Sequence, residues 1–294
     1  MVYRLLLLSL TVSIATAELS AWGRQGHYMA SEAATANVPD AMPAFFHRSY
    51  EEIIYLSPEP DEWRNAGRST RGSETPDHFI DLEFTSGLDL PSDRYAFAGL
   101  MVASEIPRRR GTEISDIGFL PWRIAETTEL LEQQWREWRR AELSPEERAH
   151  VEANIAQLAG VLGHFVADAA NPLHTTMHYN GWAGSANPER YATDCDLHSR
   201  FETQFVRQRI ELRDVLANVR DLQPASNYFE RVQASVRESN ALVGTLYRID
   251  RDGGFRGRGT EEGMEFVAER LGAASSMLRD LWWSAWKNSN DDRR

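Results

Sequence analysis

Residues 144–171 read SPEERAHVEANIAQLAGVLGHFVADAAN, and Pro172, Leu173 and His174 follow. The stretch carries both ends of a helix. Ser144 suits the cap, Pro145 the first turn, and Glu147 closes a capping box back onto Ser144. Asn171-Pro172 stops it, because proline disfavours helical backbone in the residue before it. Val151, Ile155, Leu158, Leu162, Phe165, Val166 and Ala169 recur with helical period and form a core face. His164 and Asp168 are four apart, so their side chains point together, and Gly160 and Gly163 leave room beside them. His174 follows just past the helix end.

Working outward, helical patterns dominate. Residues 26–36 read as a helix, and 40–56 as short helices broken at Pro43 and Pro58. Residues 121–142, 196–219, 227–249 and 260–286 read as four further helices. The span from Ser57 to about Gly118 is rich in Pro, Gly, Ser and Asp and reads as loop. HFIDLEF (78–84) is the best strand candidate, though helix or loop fits equally well. There is no repeat and no linker. The expectation is one all-α domain, residues 22–294, near the size at which single cores stop growing.

The chain has 294 residues and a net charge of −12. That balance argues against binding nucleic acid or anionic membranes by overall charge. It leaves room for a local cation, which can be the largest charge in its neighbourhood. Arg4 followed by LLLLSLTVSI (5–14) reads as a secretory signal, too short to span a bilayer. Cleavage after Ala17 and after Ala21 both fit the small-residue rule. We expect a signal peptide of residues 1–21 and a secreted or periplasmic protein. The single lysine, Lys287, and the absence of any Asn-x-Ser/Thr site agree with a bacterial exported protein. The lone Cys195 permits no internal disulfide and lies between acids, a poor setting for a thiolate.

His198 and Glu202, in DLHSRFE, repeat the i,i+4 pairing of His164 and Asp168. One such pair is ordinary on helices; two pairs with His174 between them point to a metal, and imidazole with carboxylate is a zinc donor set. His27, Asp61 and His78 lie upstream and carry weight only through the pattern they complete. His47 and His150 read as surface residues, and His178 as a loop residue. Arg108-Arg109-Arg110 reads as a solvated loop.

WGRQGH (22–27), PDEWR (60–64), DHFID (77–81), GHFVADAANPLH (163–174) and DLHSRFE (196–202) resemble, in order, the motifs of the zinc-dependent phospholipase C and single-strand-specific type I nuclease family. The resemblance implies an all-α fold and three zinc ions. One would be held by Asp61, His78, His164 and Asp168, and a second by His174, His198 and Glu202. The third would take His27, Asp168 and the free amine and carbonyl of Trp22. That role for Trp22 favours cleavage after Ala21, because an amide nitrogen is a poor donor. The implied activity is phosphodiester hydrolysis by zinc-bound hydroxide attacking phosphorus. Asp61 would orient the water or act as base, and Arg64 would hold a phosphate oxygen. Among the aromatic residues, Phe79 and Trp182 are the candidates for the substrate wall.

The two branches differ in detail. The spacing of Trp22 and His27, the DHFID block and Arg64 are nuclease-like; Glu202 is phospholipase-like. The segment after His174, TTMHYNGWAGSANPERY, replaces the glycine- and asparagine-rich stretch of the nucleases, and Gln25, Glu62 and Thr75 do not supply the acidic and aromatic choline box of the phospholipases. The expected substrate is single-stranded DNA or RNA, with phospholipid the alternative. An exported helical protein that binds zinc without turnover is the alternative of another class.

Overall fold

The computed structural model describes residues 22–290; the signal-peptide reading falls on residues outside them. The described residues are mostly helical and contain no strand. Eight helices carry most of the packing: α1 (Gly23–Thr35), α2 (Tyr50–Leu56), α3 (Arg94–Ser104), α4 (Leu120–Trp138), α5 (Pro145–Ala170), α6 (Tyr228–Asn240), α7 (Val243–Arg251) and α8 (Glu261–Asn288).

Helix α5 organises the rest. Ser144 Oγ accepts from the Glu147 amide at 3.2 Å, and the Glu147 carboxylate accepts from the Ser144 amide at 2.8 Å. At its start the helix is exposed on one side; from Ala159 to Ala170 every residue is buried. Such all-round burial marks the centre of a domain. The glycines permit it. A Cβ on Gly160 would lie 2.6 Å from Leu56 Cβ and 2.8 Å from the Ile53 carbonyl of α2, and one on Gly163 would lie 2.9 Å from Ser31 Oγ of α1.

Two apolar clusters meet at this helix. One gathers Trp122, Leu131, Trp135, Phe165, Val166, Ala169 and Trp282. The other gathers Trp22, Ala167, Ala170, Phe201, Phe205, Tyr247 and Leu271. Neighbouring residues of α5 thus face different clusters, and His164 and Asp168, both fully buried, sit among them.

Three readings need correction, over 57–118, 196–219 and 227–249, and the open one over HFIDLEF resolves to its helix-or-loop alternative. The loop-rich span 57–118 contains the helices Glu59–Trp63, Arg68–Glu74, α3 and Ile106–Arg110. Asp93 caps α3, accepting from the Ala96 amide at 2.6 Å, a start signal obscured by the surrounding glycines and prolines. HFIDLEF forms no strand. Its backbone amides go to two unrelated segments, Ile80 to the His174 carbonyl at 2.9 Å and Asp81 to the Ile117 carbonyl at 2.7 Å, so no ladder forms. The helix expected over 196–219 is four pieces: Leu197–Ser199, a π-helical turn Arg200–Phe205, Val206–Arg209 and Leu212–Leu216. The span 227–249 likewise divides into α6 and α7.

Candidate metal centre

Five histidines and three carboxylates from six separated stretches converge beside α5. Three groups each offer donor atoms within 4.8 Å of one another: His78, His164 and Asp168; His174, His198 and Glu202; and His27, Asp61 and His164.

In the first group His78 Nδ1 lies 3.0 Å from His164 Nε2 and 3.1 Å from Asp168 Oδ2, and His164 Nε2 lies 3.4 Å from the same oxygen. In the second, His198 Nε2 lies 2.8 Å from Glu202 Oε2 and 3.2 Å from His174 Nε2, which lies 3.7 Å from Glu202 Oε2. Zinc bonds of about 2.0–2.1 Å at tetrahedral angles separate donor atoms by about 3.3 Å. Both groups match that spacing.

The rings are held in the orientation ligation needs. His164 Nδ1 bonds the Ser57 carbonyl at 2.9 Å, His174 Nδ1 the His78 carbonyl at 2.7 Å, and His198 Nδ1 the Tyr179 carbonyl at 3.1 Å. A carbonyl can only accept, so each Nδ1 carries the proton and each Nε2 presents a lone pair to the cluster. Asp168 Oδ1 is buried with no hydrogen-bond partner, and His27 Nε2 lies 3.8 Å from it. The His27 ring stacks on His164 at 4.1 Å between centroids. An acceptor left bare in the core is costly unless a cation or water meets it. The donor types, their spacing and this bare oxygen fit zinc.

Asp61 pairs with Arg64, and its Oδ1 lies 3.8 Å from His164 Nε2. Trp22 is buried, its indole donating to the Ala167 carbonyl at 2.7 Å. Its backbone nitrogen meets Glu202 Oε2 at 3.1 Å, a contact with the residue that the resemblance assigns to the second ion.

Burial governs the protonation of these groups. It pushes Asp168 well above the usual carboxylate range, with Asp61 and Glu202 adding to the rise and Arg64 opposing it. Glu202 is raised to about 7 by burial, against the pull of His174. The same burial drives His78 and His164 well below the usual imidazole range and His198 down to about 4. Neutral imidazoles are the ligating form. The carboxylates would give up their protons to a divalent cation, which reverses the local preference.

A cavity of about 480 Å³ opens on the cluster. His78, His174 and His198 line it with Arg64, and Phe79, Phe84, Leu173, Met177 and Tyr179 form its apolar wall. Asp81 lies in it too, its carboxyl pushed up to about 8 by burial and then by Glu83 and Asp116. Trp182 is not part of this wall. Its ring stacks on His178 at 3.9 Å and packs against Tyr191 and Tyr247. His178 Nδ1 accepts from the Ala183 amide at 3.0 Å, so both residues shape the loop. His150 is exposed; His47 is half-buried and bonds the Tyr50 hydroxyl.

Sequence reasoning missed several contributors. Asn171, read only as a helix stop, donates to Glu202 Oε2 at 3.2 Å and accepts from the Leu173 amide. The carbonyls of Ser57 and Tyr179 have no side-chain signature at all. Phe84 lies in the same HFIDLEF block as Phe79, and an aromatic count there would have found it.

The fold is shared with a known toxin. The alpha-toxin of Clostridium absonum superposes with a TM-score of 0.51 at 11% identity, over 94% of this chain and 67% of the toxin. The alpha-toxin of an avian strain of Clostridium perfringens gives 0.47 at 12% identity, over 94% and 66%. This chain therefore spans about two thirds of the length of each toxin. Neither the protein-family models nor the curated proteins give a match. The first likeness shows the all-α fold that the motif resemblance implied.

Proposed function

We propose that this protein is an exported zinc-dependent phosphodiesterase. The observation that carries the reading is the convergence of neutral imidazole nitrogens and carboxylates, at tetrahedral spacing, beside a cavity large enough for a phosphodiester group. His78, His164 and Asp168 would hold one ion, with Asp61 alongside, and His174, His198 and Glu202 a second. His27 and Asp168, with the main chain of Trp22, would serve a third. When bound, zinc supplies positive charge against the phosphoryl oxygens and brings the pKa of water near 7.

The chain's own groups do the rest. Arg64 lines the cavity and presents a planar cation to a phosphate oxygen as negative charge grows. Asp61, held by Arg64, orients the attacking water. Phe79 follows His78 directly and offers a ring for base stacking, which tolerates any sequence. That supports single-stranded nucleic acid as substrate. The apolar wall of Phe84, Leu173 and Met177 supports the second reading, a phospholipid headgroup.

The test is hydrolysis by zinc-loaded protein of single-stranded DNA, RNA and phosphatidylcholine, each with a chelator control. Chelator-sensitive cleavage of one substrate class is expected. Asp61→Asn should abolish that cleavage and keep most of the zinc. Cleavage of none of the three would favour zinc binding without turnover.

A further inference from the structure

The turn that carries the second ligand group has a buried ion pair at its back. Arg200 stands midway between His198 and Glu202 at the start of the π-helical turn. Two residues along a helix is a rotation of about 200°, so its side chain leaves the face opposite to theirs. Arg200 Nε lies 2.9 Å from Asp250 Oδ1, and Nη2 lies 3.0 Å from Oδ2. Both residues are buried, and Asp250 belongs to α7. Asp194 and Arg256 approach the pair at 3.8 Å and 3.6 Å, and extend it toward solvent. Next to Arg200 in sequence the turn packs by rings, Phe201 against Trp22 at 5.1 Å and against Phe255 at 5.0 Å.

A buried pair of this kind gives little stability for its desolvation cost, and apolar replacements often fold as well. What a two-bonded guanidinium does supply is orientation, since its fork fixes both distance and plane. The backbone here needs such a constraint. A π-helical turn is rare, and it tends to occur at functional sites.

We infer that Arg200 and Asp250 are positioning residues for the His174–His198–Glu202 metal site. They lock the π-helical turn to α7 in the one register that brings His198 Nε2 and Glu202 Oε2 to 2.8 Å. Neither touches the ligand face. The inference rests on the zinc reading above and adds to it a determinant of one site's affinity.

The experiment compares wild type with Arg200→Lys, Asp250→Asn and the paired apolar replacement Arg200→Met with Asp250→Leu. Zinc dissociation constants are measured by competition with a chromogenic chelator, and visible spectra are recorded after cobalt substitution. Each variant is expected to weaken one zinc ion roughly 10- to 100-fold, the range for losing a supporting contact behind a ligand, with the other ions unchanged. The cobalt bands of that site should shift. If the single variants fail to fold, the apolar pair carries the same expectation. Unchanged zinc affinities and cobalt spectra, with only a lower Tm of the zinc-free protein, would overturn the inference. Wild type that binds no zinc would sink the functional reading and this inference together; zinc-binding wild type with unaffected variants sinks only this one.

Discussion

The two best-formed ligand groups stand on different kinds of backbone. His164 and Asp168 project from the buried end of a regular 26-residue helix, and His78 comes from a turn bonded to neighbouring segments. His174 stands on a short 3-10 turn, His198 on a three-residue helical piece and Glu202 on the π-helical turn that follows it, with loop carbonyls steadying the rings. The first group inherits its geometry from helix packing. The second must be assembled from many local contacts, among them Asn171 and the Trp22 nitrogen at Glu202. Regular structure makes a site that is hard to distort; irregular structure makes one that depends on each support.

The largest test of this contrast removes one carboxylate from each group. Asp168 lies near His27, His78, His164 and His174, so Asp168→Asn should cost more than one zinc ion and reduce hydrolysis by at least ~100-fold. Glu202→Gln should cost a single ion. Elemental analysis of both purified variants checks this, and equal losses would show that the two groups are not separately built.

The supports can be tested next. Gly160→Val forces a side chain into Leu56 and the Ile53 carbonyl, and should destabilise the fold by about 1–3 kcal/mol. Gly181 has φ +101°, and a Cβ there would lie 2.7 Å from the Asp194 carbonyl. Gly181→Ala should therefore disturb the loop beneath His198 at a cost of ~1–2 kcal/mol. Urea unfolding measures both. Only the second should also weaken zinc binding without moving the first group.

Asp81 sharpens the comparison through pH. Its folded value of about 8 lies above the usual carboxylate value, so the unfolded chain loses this proton first. Stability is then complete below pH ~4 and falls as pH climbs toward 8. Asp81→Asn should match wild type near pH 4 and exceed it above pH 7 by on the order of 4 kcal/mol. Urea melts at the two values check the sign. The smallest effect belongs to His178→Ala, which removes a ring stacked on Trp182 and should cost ~0.5–1.5 kcal/mol with zinc content unchanged.

The same contrast explains what was legible in the sequence. The first group sits on a helix whose cap, stop and period are written in residues 144–172, so its i,i+4 pair could be placed on one face directly. His198 and Glu202 show the same spacing, which made 196–219 look like one plain helix. Period alone does not reveal a π-helical turn, and the partner that Arg200 finds there, Asp250, lies 50 residues along the chain. Helix α3 was lost among glycines and prolines although Asp93 marks its start. Trp182 suits a substrate wall as an aromatic near His174; its ring is taken up instead by His178 and Tyr191 of its own loop and by Tyr247 of α7, and only the last lies too far along the chain for sequence to supply.

The π-helical turn also bears on which length changes the chain can accept. Each residue of a regular helix advances the spiral by about 100°. Deleting one position between Arg200 and Phe205 would let the turn relax to ordinary α-helical winding. A deletion at Phe201 would then leave Glu202 three residues after His198 instead of four, short of the imidazole it now meets. Surface loops elsewhere can gain or lose residues at small cost, but here the count itself is part of the binding geometry.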